Sequence, residues 1–186
     1  MGANKFFSKI IEELNNTLCA IDLMHTNELV DLVLSANSIF IAGAGRSGLA
    51  AKGFAMRLMH MGMNAYVVGE TTTPNIRPGD LLLIGSGSGE TASLSAHAKK
   101  GKDIGAKLAL ITIFPDSTIG SLADVVVQIP APTPKVEADS GFMSIQPMGS
   151  LFEQCLWLFL DTAVLMMMDI NRDDSGNMFN RHANLE

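Results

Sequence analysis

The chain has 186 residues, of which 47% are hydrophobic and 17% charged, with a formal net charge of -6. That length suits one domain with its own core, and the apolar share excludes disorder. The acidic balance disfavours a nucleic-acid reader, and the surplus of apolar over charged residues predicts burial at subunit interfaces.

In chain order, Phe6 to Ser35 shows helical spacing at Phe7, Ile10, Ile11, Leu14 and Leu18, then at Leu29, Val30, Val33 and Leu34. Lys5, Lys9, Glu12 and Glu13 make its start amphipathic rather than a leader peptide. N-terminal helices are therefore expected over about residues 3–36. Ser38 to Ala42 is a short β-rich run ending in Gly43-Ala-Gly-Arg-Ser-Gly48, with a helix expected from about Leu49 to Met61. Ala65 to Val68 is a second strand, and Asp80 to Ile84 a third that ends in Gly85-Ser-Gly-Ser-Gly-Glu-Thr91. A helix from about Ala92 to Ile104 and strands at Lys107 to Phe114 and Val125 to Ile129 follow. Pro130 to Pro147 reads as a long loop near function, before a long helix from Met148 and a polar tail over about residues 174–186.

Strands of unbroken apolar residues alternating with helices predict an α/β fold. It would have a five-stranded parallel sheet with helices on both faces, as a single domain over residues 1–186. The most apolar stretch, Leu151 to Met168, is interrupted by Glu153, Gln154 and Asp161, which predicts a buried or interfacial helix and no membrane span. Cys19 and Cys155 form no CxxC pair, so a reduced, cytoplasmic protein is expected. His25, His60, His97 and His182 lack metal-ligand spacing, and no metal or cofactor is expected.

Ligands of an open α/β sheet bind beyond the carboxyl ends of its strands, where both glycine loops fall. Gly43-Ala-Gly-Arg-Ser-Gly48 fits GxGxxG, with Glu70 placed where a ribose-binding acid would sit. Dinucleotide binding is one reading, against which stand Arg46 and Ser47 within the loop. Arg46 could instead offer its planar fork to a phosphate, or form a surface ion pair. Lys52 reads as a solvated helix residue. The second loop combines glycines with the hydroxyls of Ser86, Ser88 and Thr91 at a helix N-terminus, a cradle for one phosphate. A helix cap alone would need one such hydroxyl. Glu90 would repel phosphate, and is expected to point away or to hold backbone donors.

Glu153 stands early in the long helix amid Leu151, Phe152, Leu156 and Trp157, surroundings suited to a general base. Ser150 to Glu153 also fits a capping box, S-x-x-E, so a structural role is open. His60, late in the first-loop helix, reads either as a core or interface histidine or as a second candidate site residue. His182 lies in a tail that either folds over a site as a lid or frays.

Ser86-Gly-Ser-Gly-Glu-Thr91 resembles the phosphosugar-binding loop of SIS (sugar isomerase) domains, and the resemblance covers nearly the whole chain. Within them, Gly43 to Gly48, Met56 to Gly62, Ile145 to Glu153 and Arg181 to Glu186 resemble the 6-phospho-3-hexuloisomerases. The resemblance implies a three-layer flavodoxin-like fold. It implies reversible conversion of D-arabino-hex-3-ulose 6-phosphate to D-fructose 6-phosphate through a 2,3-enediol. That step follows a hexulose-phosphate synthase in the ribulose monophosphate pathway of formaldehyde assimilation or detoxification. A homotetramer with active sites shared between subunits is implied as well. Glu153 would be the base, and His60 would face an active site, its own or a neighbour's. Gly45, Arg46, Ser47, Ser86, Gly87, Ser88 and Thr91 would hold the substrate. A sugar-phosphate sensor without catalysis, or an isomerase of another phosphosugar, is the alternative.

Overall fold

The computed structural model describes residues 2–132 and 143–185. Most of the Pro130 to Pro147 loop, residues 133–142, therefore lies outside the described residues. The elements run α1 (Ala3–Cys19), α2 (Leu23–Ser35), β1 (Ile39–Gly43), α3 (Gly45–His60), β2 (Ala65–Val67), β3 (Leu81–Gly85), α4 (Ala92–Ile104), β4 (Lys107–Thr112), a 3-10 turn (Gly120–Leu122), β5 (Val125–Gln128), α5 (Ser150–Asn171) and α6 (Ser175–Phe179).

The five strands form one parallel sheet in the order β2-β1-β3-β4-β5. β1 pairs with β3 from Ile39 opposite Leu81 to Gly43 opposite Gly85, so the two glycine loops leave the sheet side by side. The strand order reverses between β1 and β3, which is where an open α/β sheet opens a crevice at its carboxyl edge.

Side chains alternate across the sheet and build two cores. Ile39, Ile41, Leu81, Leu83, Ala109 and Ile111 face α1, α2, α3 and α5. Phe40, Ala42, Leu82, Ile84, Leu108 and Leu110 face α4 and the 3-10 turn. Helices thus cover both faces in three layers, unequally shared. β3, at the centre, is buried along its whole length.

Two helix starts have local causes. The N-terminal helices expected over about residues 3–36 are α1 and α2, divided where Asp22 caps α2 by accepting the Met24 N–H at 2.6 Å and the His25 N–H at 3.4 Å. Such a cap stabilises a helix by about 1 kcal/mol. α3 begins at Gly45 rather than near Leu49, inside the glycine motif. A Cβ at Gly43 would lie 2.8 Å from Gly48 Cα, and one at Gly48 would lie 2.7 Å from Gly43 O, so this helix–strand approach admits only glycine.

α5 is long and apolar enough, by length and composition, to cross a membrane. In the fold it is a core helix, with Leu151, Phe152, Cys155, Leu156, Phe159 and Leu160 buried against α3 and the sheet. Trp157, Leu158 and Leu165 stay exposed on its outer side, as do Met56 and Met59 of α3.

Candidate active site

A cavity of about 760 Å³ opens at the carboxyl edge of β1, β3 and β4, within the size range of small-molecule sites. Gly45, Arg46 and Ser47 line one side, and Ser86, Gly87, Ser88 and Thr91 line another. Glu153 of α5 closes a third. Eight of the sequence-expected site residues therefore meet in one place.

The serine loop holds its shape through its own backbone. Gly89 N–H donates to both the carbonyl and the Oγ of Ser86, each at 3.2 Å, and Glu90 N–H donates to Ser88 Oγ at 3.2 Å. Ser86 is buried. Thr91 occupies the N-cap position of α4, yet its hydroxyl makes no capping bond, so the loop is more than a capped turn. α3, α4 and α5 all begin at the cavity rim, and each helix start carries about half a positive charge. Three converging helix starts favour an anion despite the acidic chain.

Glu90 also lines the cavity, and its carboxylate holds a backbone donor, accepting the Thr118 N–H at 2.6 Å. That backbone hydrogen bond holds its carboxyl below the usual carboxylate range. The bond ties the serine loop to the segment after β4. Ile113, Phe114, Asp116 and Ser117 of that segment form a further wall of the cavity. Sequence reading missed this wall, although its place after a central strand was a usable signal.

Glu153 is not part of a capping box. Gly149 is the N-cap, Ser150 is already helical, and the Glu153 N–H donates to Gly149 O at 3.0 Å. Its carboxylate faces the cavity instead. Arg46 Nε lies 2.6 Å from Glu153 Oε2, with Glu153 19% and Arg46 63% exposed at the side chain. The contact is a charge pair without an aligned N–H, since Oε2 is buried and accepts no hydrogen bond among the described residues. Arg46 thus does form an ion pair, but its partner is the candidate base. Phe152 packs beside it on Gly87. A carboxylate paired with an arginine next to an anion cradle can exchange protons with a bound phosphorylated molecule.

Glu70, the acid of the dinucleotide reading, is engaged elsewhere. It accepts from Lys52 Nζ at 2.6 Å on the surface, and that contact lowers its proton affinity. Lys52 is therefore exposed but paired.

His60 and His182 lie apart from this cavity. His60 ends α3, so the 1.5 Å rise per residue puts it about 22 Å along the axis from Gly45. It is buried, its ring stacks on His182 at 5.1 Å, and its carbonyl accepts from Arg181 Nη1 at 3.0 Å. Burial, then the charges on His182 and Arg57, push its proton affinity down. The C-terminal tail folds over the far end of α3, not over the cavity of its own chain.

Comparison with known proteins gives this geometry a family. The chain is 49% identical over 186 residues, the full length of both, to the 3-hexulose-6-phosphate isomerase of Bacillus subtilis. It is 41% identical to the Mycobacterium gastri 3-hexulose-6-phosphate isomerase over 96% of this chain and 89% of that one. Its fold superposes at a TM-score of 0.85, with 33% identity and 98% and 99% coverage, on a Methanococcus jannaschii protein inferred to be a 3-hexulose-6-phosphate isomerase. Residues 32–157 match the SIS domain model, a span that holds both glycine loops and Glu153, and the chain belongs to the SIS domain family.

Proposed function

We propose that this protein is an isomerase that interconverts D-arabino-hex-3-ulose 6-phosphate and D-fructose 6-phosphate. The observation that carries the reading is a single cavity holding both an anion cradle at three helix starts and the Glu153 carboxylate. The names of full-length relatives at 49% and 41% identity support the substrate.

The chemistry moves a carbonyl from C3 to C2. A base removes the C2 proton, O3 gains a proton, and a 2,3-enediol forms. The O2 proton then leaves and C3 regains one. Because the C6 oxygen is esterified, the 3-ketose cannot close a five-membered ring and binds open. Ser86, Gly87, Ser88 and Thr91 would anchor the phosphate, with Gly45 and Ser47 across the cleft. Glu153 would carry the proton from C2 to C3, and Arg46 would stabilise the enediolate oxygens.

His60 needs a second copy to take part, because α3 holds it about 22 Å from its own cavity mouth. We propose a homotetramer in which His60, with His182 stacked on it as a lid, completes the cavity of a neighbour. Exposed Met56, Met59, Trp157 and Leu165 supply apolar surface for such contacts. Free Cys19 and Cys155 suit a reducing, cytoplasmic setting. The substrate would be delivered by a hexulose-phosphate synthase, in formaldehyde assimilation or detoxification.

The test is to supply hex-3-ulose 6-phosphate and follow fructose 6-phosphate with wild type and Glu153→Gln. A loss of about 100-fold or more in kcat is expected, the usual contribution of a general base. Equal rates would remove Glu153 as base, and an inactive wild type would overturn the reading. Mixing Glu153→Gln with His60→Gln protein and reassembling should restore part of the activity if sites are shared.

A further inference from the structure

Outside the cavity, the buried carboxylates of Glu13 and Asp80 are unused by the chemistry above, and Glu13 is the one tied to the segment that precedes α5. Glu13 of α1 is 4% exposed. It accepts from Ser144 Oγ at 2.7 Å, from the Ile145 N–H at 2.8 Å and from Gln146 Nε2 at 3.0 Å. Three donors from one short segment converge on one side chain more than 130 residues away. A buried charge is costly unless its hydrogen-bonding capacity is met, and among the described residues that segment supplies the donors. Burial raises the proton affinity of Glu13, but the three hydrogen bonds and Lys9 outweigh it and keep the carboxyl below its usual range.

The clamped segment leads straight to the base. Ser144 Oγ accepts the Gln146 N–H at 3.0 Å, which folds the segment on itself. Pro147 O accepts the Ser150 N–H, and Gly149 O accepts the Glu153 N–H. Between them Met148 has φ +57, a conformation that a non-glycine residue holds only when its neighbours fix it. Met148 and Gly149 line the cavity beside Glu153.

We propose that Glu13 is a positioning residue: its carboxylate seats Ser144 to Gln146, and through Met148 and Gly149 fixes the start of α5 and the placement of Glu153. Its kinetic arm rests on the isomerase reading, and its structural arm does not. In Glu13→Gln one acceptor oxygen remains for three donors, and the new NH2 faces a donor.

The test measures turnover of hex-3-ulose 6-phosphate together with amide hydrogen exchange in the full-length protein. Glu13→Gln is expected to lower kcat about tenfold while KM stays within about twofold. Exchange should quicken at Ile145 with α4 amides unchanged. Ser144→Ala should shift kcat in the same direction by less, and it keeps the proposal testable if Glu13→Gln folds poorly. A wild-type kcat in Glu13→Gln would overturn the proposal, as would a loss of kcat with faster exchange throughout the chain. Should wild type itself fail to turn over, the isomerase reading falls, and unchanged Ile145 exchange in Glu13→Gln would still overturn the clamp.

Discussion

Replacing Gly89 with alanine perturbs the cradle without touching a proposed catalytic group. Gly89 has φ +63, and an added Cβ would fall on Ser117 Oγ and Cβ of the neighbouring wall. The left-handed backbone costs an L-residue about 1–2 kcal/mol. Overlap with Ser117, which is buried and accepts the Gly120 N–H at 3.3 Å, adds about 1–3 kcal/mol. Gly89→Ala should therefore destabilise the fold by about 3 kcal/mol and weaken fructose 6-phosphate binding, since the serine loop and the Ile113 to Ser117 wall must separate. Urea denaturation and ligand titration read the two effects. Ser117→Gly alone should cost about 1 kcal/mol for its lost hydrogen bond. In the double variant the overlap disappears while the backbone strain stays, so the pair should be non-additive by about 2 kcal/mol. Additive losses, or a Gly89→Ala cost under about 1 kcal/mol, would refute the steric argument.

Arg46→Met should change stability by no more than about 0.5 kcal/mol, because Arg46 is 63% exposed and its pair with Glu153 is largely screened. It should lower kcat/KM at least about tenfold. A stability loss without a kinetic one would make the pair structural. His60, faced by His182, Arg57 and Arg181, binds a proton less readily folded than unfolded. Its contribution is therefore present above about pH 6.5 and is lost as pH falls through the lower folded value. Glu13 and Asp124, also lowered, act in the same direction but only below about pH 4.5. Urea midpoints between pH 7.5 and 5.5 should thus fall in wild type and flatten in His60→Gln, and an unchanged slope would refute the burial argument.

The sheet was legible because each buried strand is an unbroken apolar run stopped by glycine or a polar turn, as at Leu81 to Gly85. Both loops were legible because parallel strands expose their carboxyl ends on one edge. Register at helix starts was not. Ser150-x-x-Glu153 looks like a capping box until Gly149 takes the cap, a one-residue difference that the motif alone cannot decide. His60 showed the reverse problem, since its place late in the helix was visible but not its burial or its stacking on His182. The links from Glu90 to Thr118 and from Glu13 to Ser144 join residues far apart in the chain, so no local pattern encodes them.

α5 follows every strand in the chain, so a chain still being synthesised holds the residues of all five strands and of the serine loop before those of α5, with Ile41, Leu83 and Ile111 lacking the cover that α5 supplies. Such a nascent chain would carry the anion cradle without a base, and an adhesive apolar face beside it. α5 removes both conditions at once, because Leu151, Leu156 and Phe159 close that face while Glu153 turns into the cavity. Catalytic competence would then appear together with protection from aggregation, and a half-made chain would have neither.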